Sequence, residues 1–152
     1  MPSVKTAFFG EVEYTEDSVV DFPAGLPAFE SERSFIRLYP PDYQPLFFLQ
    51  SLSTPSLSFL AISMQNVMVN YELELSDEDT CLLGGPRPAT DFDVVALITV
   101  SEQGDVSANL KAPLVIQERD RLGVQAIQSN LAYSFRHPLG TAPWPGNGTP
   151  CS

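Results

Sequence analysis

The chain has 152 residues, of which 43% are apolar and 18% charged. That composition builds one globular core without bridges or metals, and no apolar run approaches the roughly 20 residues that a membrane span needs. Eight basic residues stand against 19 acidic ones, a net charge of -11, and a field of that sign repels nucleic-acid phosphates, so no direct nucleic-acid partner is expected.

In chain order, Lys5 to Gly10 and Glu11 to Tyr14 interleave aromatics and Val with polar residues, the pattern of two short strands around a bend at Gly10. Val19 to Phe22 is a further short strand that Pro23 stops, and Pro23 to Ala28 reads as an ordered loop, since two prolines remove ladder donors. Phe35 to Tyr39, Leu46 to Ser51 and Ser58 to Ser63 follow as apolar strands of a meander, cut by Pro40-Pro41-Asp42 and by Ser53-Thr54-Pro55. Tyr71-Glu72-Leu73-Glu74-Leu75 alternates strictly, which predicts a half-exposed strand with Glu72 and Glu74 facing water. Ser76 then reads as the N-cap of a short helix, with Asp79 at the reciprocal capping position and Gly84-Gly85-Pro86 ending it within about two turns. Val94 to Val100 is nearly unbroken β-branched and aliphatic sequence, the mark of a central strand. Val106 to Lys111 and Leu114 to Gln117 form one strand region broken at Pro113, which the turn Arg119 to Gly123 joins to Val124 to Ile127 as a hairpin. From Gly140 onward Thr, Ala, Pro, Gly, Asn and Ser dominate, so residues 140–152 are expected to be a disordered tail behind a single domain over residues 1–139. About ten short strands with proline-rich turns and one short helix predict a mainly β fold, a small antiparallel β-barrel-like domain that hides its sheet edges.

No catalytic pattern stands out. Neither a glycine-rich phosphate loop nor a nucleophile elbow is present, and the single histidine, His137, has no second histidine or nearby cysteine to hold a metal with it. The two cysteines, Cys81 and Cys151, make no bridge framework and read as free thiols. The acidic runs Asp77-Glu78-Asp79 and Asp91-Phe92-Asp93 lack the oxygen count and loop glycine of a calcium site, and carboxylates at a helix start are already explained by the helix dipole. No cofactor, no metal and no catalysis are therefore expected.

What remains is surface. Residues 1 to 110 carry 17 acids and 4 bases, whereas residues 111 to 152 carry 2 acids and 4 bases, so the acidic part invites a basic partner; equally, a solvated acidic face keeps a small protein soluble. The pairs Phe8-Phe9 and Phe47-Phe48 place adjacent aromatics on opposite faces of a strand, which would expose one of each if only one face is covered.

Several blocks occur in a fixed order: Phe9-Gly10-Glu11-Val12-Glu13-Tyr14, Phe22-Pro23-Ala24-Gly25-Leu26-Pro27-Ala28-Phe29-Glu30, Phe48 to Leu52, Tyr71 to Asp79, Ala108 to Ile116 and Tyr133 to Leu139. The first two resemble the N-terminal signature of the FliW family of flagellar assembly factors, with Ala28 where that family usually has glycine, and the others are similar to its later blocks and its close. The resemblance implies a β-barrel-like protein, monomeric when alone, that binds flagellin in the cytoplasm and, once flagellin is exported, binds and antagonises the translational repressor CsrA. The start of the chain, Met1 to Phe9, has no export-signal pattern, which agrees with a cytoplasmic place. An RNA-binding repressor is basic over its RNA surface, so Glu72, Glu74, Asp77, Glu78 and Asp79 are the expected CsrA-facing residues, with Phe47 and Asn109 beside them. The competing expectation is an export chaperone that shields flagellin and has no CsrA role.

Overall fold

A computed structural model describes residues 2–26 and 29–141. Ala28, the tail from residue 142 and Cys151 lie outside the described residues. Among the described residues, eleven strands and one α-helix are present. The strands are β1 (Ser3–Thr6), β2 (Gly10–Glu13), β3 (Val20–Asp21), β4 (Ser34–Leu38), β5 (Leu46–Ser51), β6 (Ser58–Ser63), β7 (Phe92–Val100), β8 (Asp105–Ala108), β9 (Leu114–Gln117), β10 (Leu122–Gln125) and β11 (His137–Thr141). The helix α1 spans Asp77–Leu82.

β1 and β2 form a separate antiparallel hairpin. The other nine strands make one sheet in the order β11-β8-β7-β6-β5-β4-β3-β10-β9, and β9 pairs again with β7, so seven strands close a ring. The expectation of a mainly β, barrel-like domain holds. Closure rests on one parallel pair, Leu122 beside Asp21, and closure is what removes exposed ladder edges.

β7 is the axis of the arrangement. It pairs with β6 through Val95 to Leu97, with β9 through Phe92 to Val95 and with β8 through Ile98 to Val100. Its β-branched run is therefore central, and β8 and β9 are two parts of one strand region on the same edge of β7. Pro113, which has no N–H for a ladder, lies in the break. Asn109 bridges the break: its side-chain oxygen accepts from the N–H groups of Lys111 and Ala112, each at 3.0 Å.

All six residues of β5 are buried. Because successive side chains point to opposite faces, Phe48 joins a cluster with Leu60, Ile62, Ala96 and Ile98, while Phe47 joins a second with Phe22, Phe35, Ala61 and Leu114. Neither aromatic is presented to solvent, since both faces of this strand are covered. In the hairpin pair, Phe8 is exposed and Phe9 packs edge-on against Phe48 with ring centroids 4.9 Å apart. A third cluster, Leu83, Val115, Val124 and Ala126, lies under α1 and is lined by Leu73, Leu75 and Leu82. The last strand runs to Thr141, two residues past the domain end expected at Leu139.

Candidate functional site

The acidic segment enters from Tyr71. Burial alternates as the sequence predicts, with Tyr71, Leu73 and Leu75 half-buried and Glu72 and Glu74 exposed. The segment is not, however, a sheet strand: residues 71–76 join no ladder. Side chains take the place of a neighbouring strand. The Glu72 N–H donates to the Tyr133 hydroxyl at 2.8 Å. The Glu74 N–H donates to Oε1 of Gln128 at 2.7 Å, and Nε2 of Gln128 donates back to the Glu74 carbonyl at 2.9 Å. Alternation reports which face is covered, and it is silent on what supplies the hydrogen bonds.

Two further contacts fix the segment. Tyr71 stacks on Tyr133 with centroids 4.4 Å apart, and its hydroxyl donates to the Leu110 carbonyl at 2.5 Å. Burial of that hydroxyl, with Tyr133 and Glu74 nearby, pushes the Tyr71 phenol upward, so it stays a neutral donor. Gln128 is 1% exposed, and a buried amide of that kind needs its bonds made, which explains why it binds Glu74 on both sides and the Ala126 carbonyl as well.

α1 continues the strip. The Asp79 N–H donates to Oγ of Ser76 at 3.0 Å and the Ser76 N–H donates to the Asp79 carboxylate at 3.2 Å, a complete capping box. Asp77, Glu78 and Asp79 fill the first turn, where the helix dipole favours negative charge. Gly84 and Gly85, both at positive φ, end the helix as expected.

The structure thus brings Glu72, Glu74, Asp77, Glu78 and Asp79 onto one continuous stretch at the surface. Two of the five carboxylates already have partners, Asp79 in the capping box and Glu74 through Oγ of Ser129 at 2.9 Å. Glu72, Asp77 and Glu78 are exposed. Phe47 is placed elsewhere: at 2% exposure it packs in the core, and the exposed ring in its neighbourhood is Tyr39, stacked on it at 5.1 Å. Asn109 is half-buried, and its oxygen is committed to the turn between β8 and β9. Sequence reasoning missed Ile127 and Leu131, which are 70% and 95% exposed and flank the Gln128 to Ser129 contact with Glu74. The adjacency of that chain to Glu74 is carried by two neighbouring side chains, Gln128 and Ser129, which leave no pattern to read.

Among the described residues no helix is long and apolar enough to cross a membrane, and no cluster of three or more His, Cys, Asp or Glu side chains could hold a metal.

Comparison with known proteins follows the same span. A family model described as FliW protein matches residues 3–139. The flagellar assembly factor FliW of Geobacillus kaustophilus is 35% identical over 139 residues, covering 90% of this chain and 94% of that one. Its counterpart from Bacillus subtilis is 29% identical over 138 residues, covering 90% and 96%. A solved crystal structure of the flagellar assembly factor FliW superposes with a TM-score of 0.83 at 33% identity, covering 91% of this chain and 97% of that chain.

Proposed function

From the chain's membership of the FliW family of flagellar assembly factors, we propose that it is a non-catalytic cytoplasmic protein that binds flagellin and, when free of flagellin, binds and antagonises CsrA. Antagonism relieves repression of flagellin translation, so the amount of unexported flagellin sets its own synthesis. The observation that supports the CsrA part is the set of exposed carboxylates Glu72, Glu74, Asp77 and Glu78 on a segment whose backbone is tied down by Tyr133, Gln128 and the capping box. An acidic strip fixed in this way suits a basic partner: complementary charge speeds encounter and sets orientation, and salt weakens it. Pre-ordering also means that little conformational entropy is lost on binding. Flagellin, in this reading, displaces CsrA or is displaced by it.

The test is calorimetry of the purified protein with CsrA at two salt concentrations, repeated after saturation with flagellin. Salt-sensitive binding that flagellin abolishes supports the reading. Absence of CsrA binding while flagellin still binds would replace it with that of an export chaperone.

A further inference from the structure

The β1–β2 hairpin stands apart from the nine-stranded sheet and makes no ladder with it. Within itself it is well bonded. Its register runs from Ser3 beside Glu13 to Thr6 beside Gly10, and the Tyr14 N–H donates to the Pro2 carbonyl at 3.0 Å. At the turn the Thr6 hydroxyl donates to the Gly10 carbonyl and accepts from the Phe9 N–H, both at 2.8 Å. Its hold on the body is narrow. Among the described residues one backbone bond joins the two, from the Ala7 N–H to the Pro55 carbonyl at 2.9 Å, next to the edge contact of Phe9 on Phe48. Val4 and Thr6 are buried while Ser3 and Lys5 are exposed, so one face of β1 is covered, and Glu11 and Glu13 of β2 face water. The onward connection, Thr15, Glu16 and Asp17, is exposed as well, and its backbone bonds stay local: Ser18 N–H to the Thr15 carbonyl and Val19 N–H to that of Glu16.

The sheet at the anchor is under-bonded. Phe48 and Gln50 are alternate residues of β5 and point to the same face. The Pro55 carbonyl that accepts from Ala7 also accepts from Nε2 of Gln50 at 3.2 Å, and Nε2 donates further to the carbonyls of Ser51 at 3.0 Å and Thr54 at 3.5 Å. Gln50 is 0% exposed, yet its Oε1 accepts no bond among the described residues. An amide oxygen buried without a donor raises the free energy of the arrangement that buries it.

We infer that the β1–β2 hairpin is a strap, hinged on Thr15 to Asp17, that lifts off β5 while the closed ring of strands stays folded, and that lifting uncovers Phe48 and lets water reach Oε1 of Gln50. Lifting gives up one backbone bond and one ring contact, and it hydrates the orphaned oxygen, so loss and gain partly offset each other. Elements tied down so sparsely open ahead of the global fold. The ring survives the step because β1 and β2 contribute no strand to it. In the lifted state the protein presents an aromatic ring and an amide on β5 that the closed state hides.

The experiment is native-state hydrogen exchange on the full chain over a low-urea series, followed by NMR at the Ala7 amide, the Gln50 side-chain amide and the amides of β7, and repeated on F9A. The expected result is that Ala7 and Gln50 share a protection factor about a hundredfold below that of β7 and nearly independent of urea, since a local opening exposes little surface. In F9A both should lose protection severalfold more than β7 does, the β7 amides reporting any loss of global stability in the same sample. Ala7 protected as strongly as β7, with the same urea dependence, overturns the strap, because the hairpin then leaves only when the whole protein unfolds. Gln50 following β7 while Ala7 exchanges freely overturns the uncovering of β5. An F9A effect of equal size at all three sites overturns the assignment of the Phe9 contact to the strap.

Discussion

The side-chain amide of Gln128 occupies both backbone groups of Glu74, accepting from its N–H at 2.7 Å and donating to its carbonyl at 2.9 Å. One buried glutamine thereby does for Glu74 what a neighbouring strand does elsewhere in the sheet, as the Tyr133 hydroxyl does for the Glu72 N–H. The acids of this segment have a defined orientation because of it.

Gln128→Ala removes three hydrogen bonds and leaves a void where an almost fully buried side chain stood. Unmade bonds to buried groups cost about 1–3 kcal/mol, so destabilisation of about 2 kcal/mol is expected in urea unfolding. Hydrogen exchange provides the local signature: the Glu74 amide should lose protection more than amides of β7. Equal loss at both places would mean that Gln128 supports the whole fold and not this segment in particular.

Ser76→Ala removes the oxygen that accepts from Asp79 N–H. Loss of a serine cap costs about 1 kcal/mol, and α1 makes few turns in which to recover it. Unfolding midpoints of Ser76→Ala and Ser76→Asn should differ, the asparagine retaining most of wild-type stability. Identical midpoints for the two variants would remove the capping argument.

Gly123→Ala tests the packing of β10 against the second core cluster. A Cβ on Gly123 would sit 2.5 Å from the ring of Phe22, a residue that is fully buried. The ring has no open space to enter, so overpacking of about 1–3 kcal/mol or more is expected. Pairing this change with Phe22→Leu should recover part of the loss; failure to recover any of it would point to the backbone of β10 instead of the ring.

Glu32 supplies a pH dependence. Its carboxylate accepts from the hydroxyls of Ser51 at 2.5 Å, Thr54 at 2.9 Å and Ser53 at 3.0 Å, and these bonds, Ser51 foremost, hold its pKa below the ordinary glutamate value. A carboxyl with a depressed folded pKa binds protons more weakly folded than unfolded. Its stabilisation is therefore complete above the ordinary glutamate value of about 4.3 and is lost as pH falls through the lower folded value. Glu32→Gln should flatten the acid side of a plot of melting temperature against pH. An unaltered acid slope would show that other carboxylates set it.

Much of this was legible before the fold was seen. The capping box of Ser76 and Asp79, the central place of Val94 to Val100 and the break at Pro113 each follow from local chemistry, and local chemistry is what a sequence prints. Closure of the ring is different: it turns on Leu122 meeting Asp21 across about a hundred residues, a pairing with no local signal. Phe47 is a third case. An adjacent pair of aromatics shows that both faces are used but not what covers them, and here two clusters cover them.

If the carboxylates from Glu72 to Glu78 meet a basic partner, calorimetric titration of CsrA into E72Q/E74Q/D77N/E78Q, with Asp79 kept because it completes the helix cap, will show it. The expected result is a folded variant whose CsrA affinity falls at least tenfold at low salt and loses most of its salt dependence. A folded variant that binds CsrA as tightly as wild type, with the same salt dependence, would contradict it.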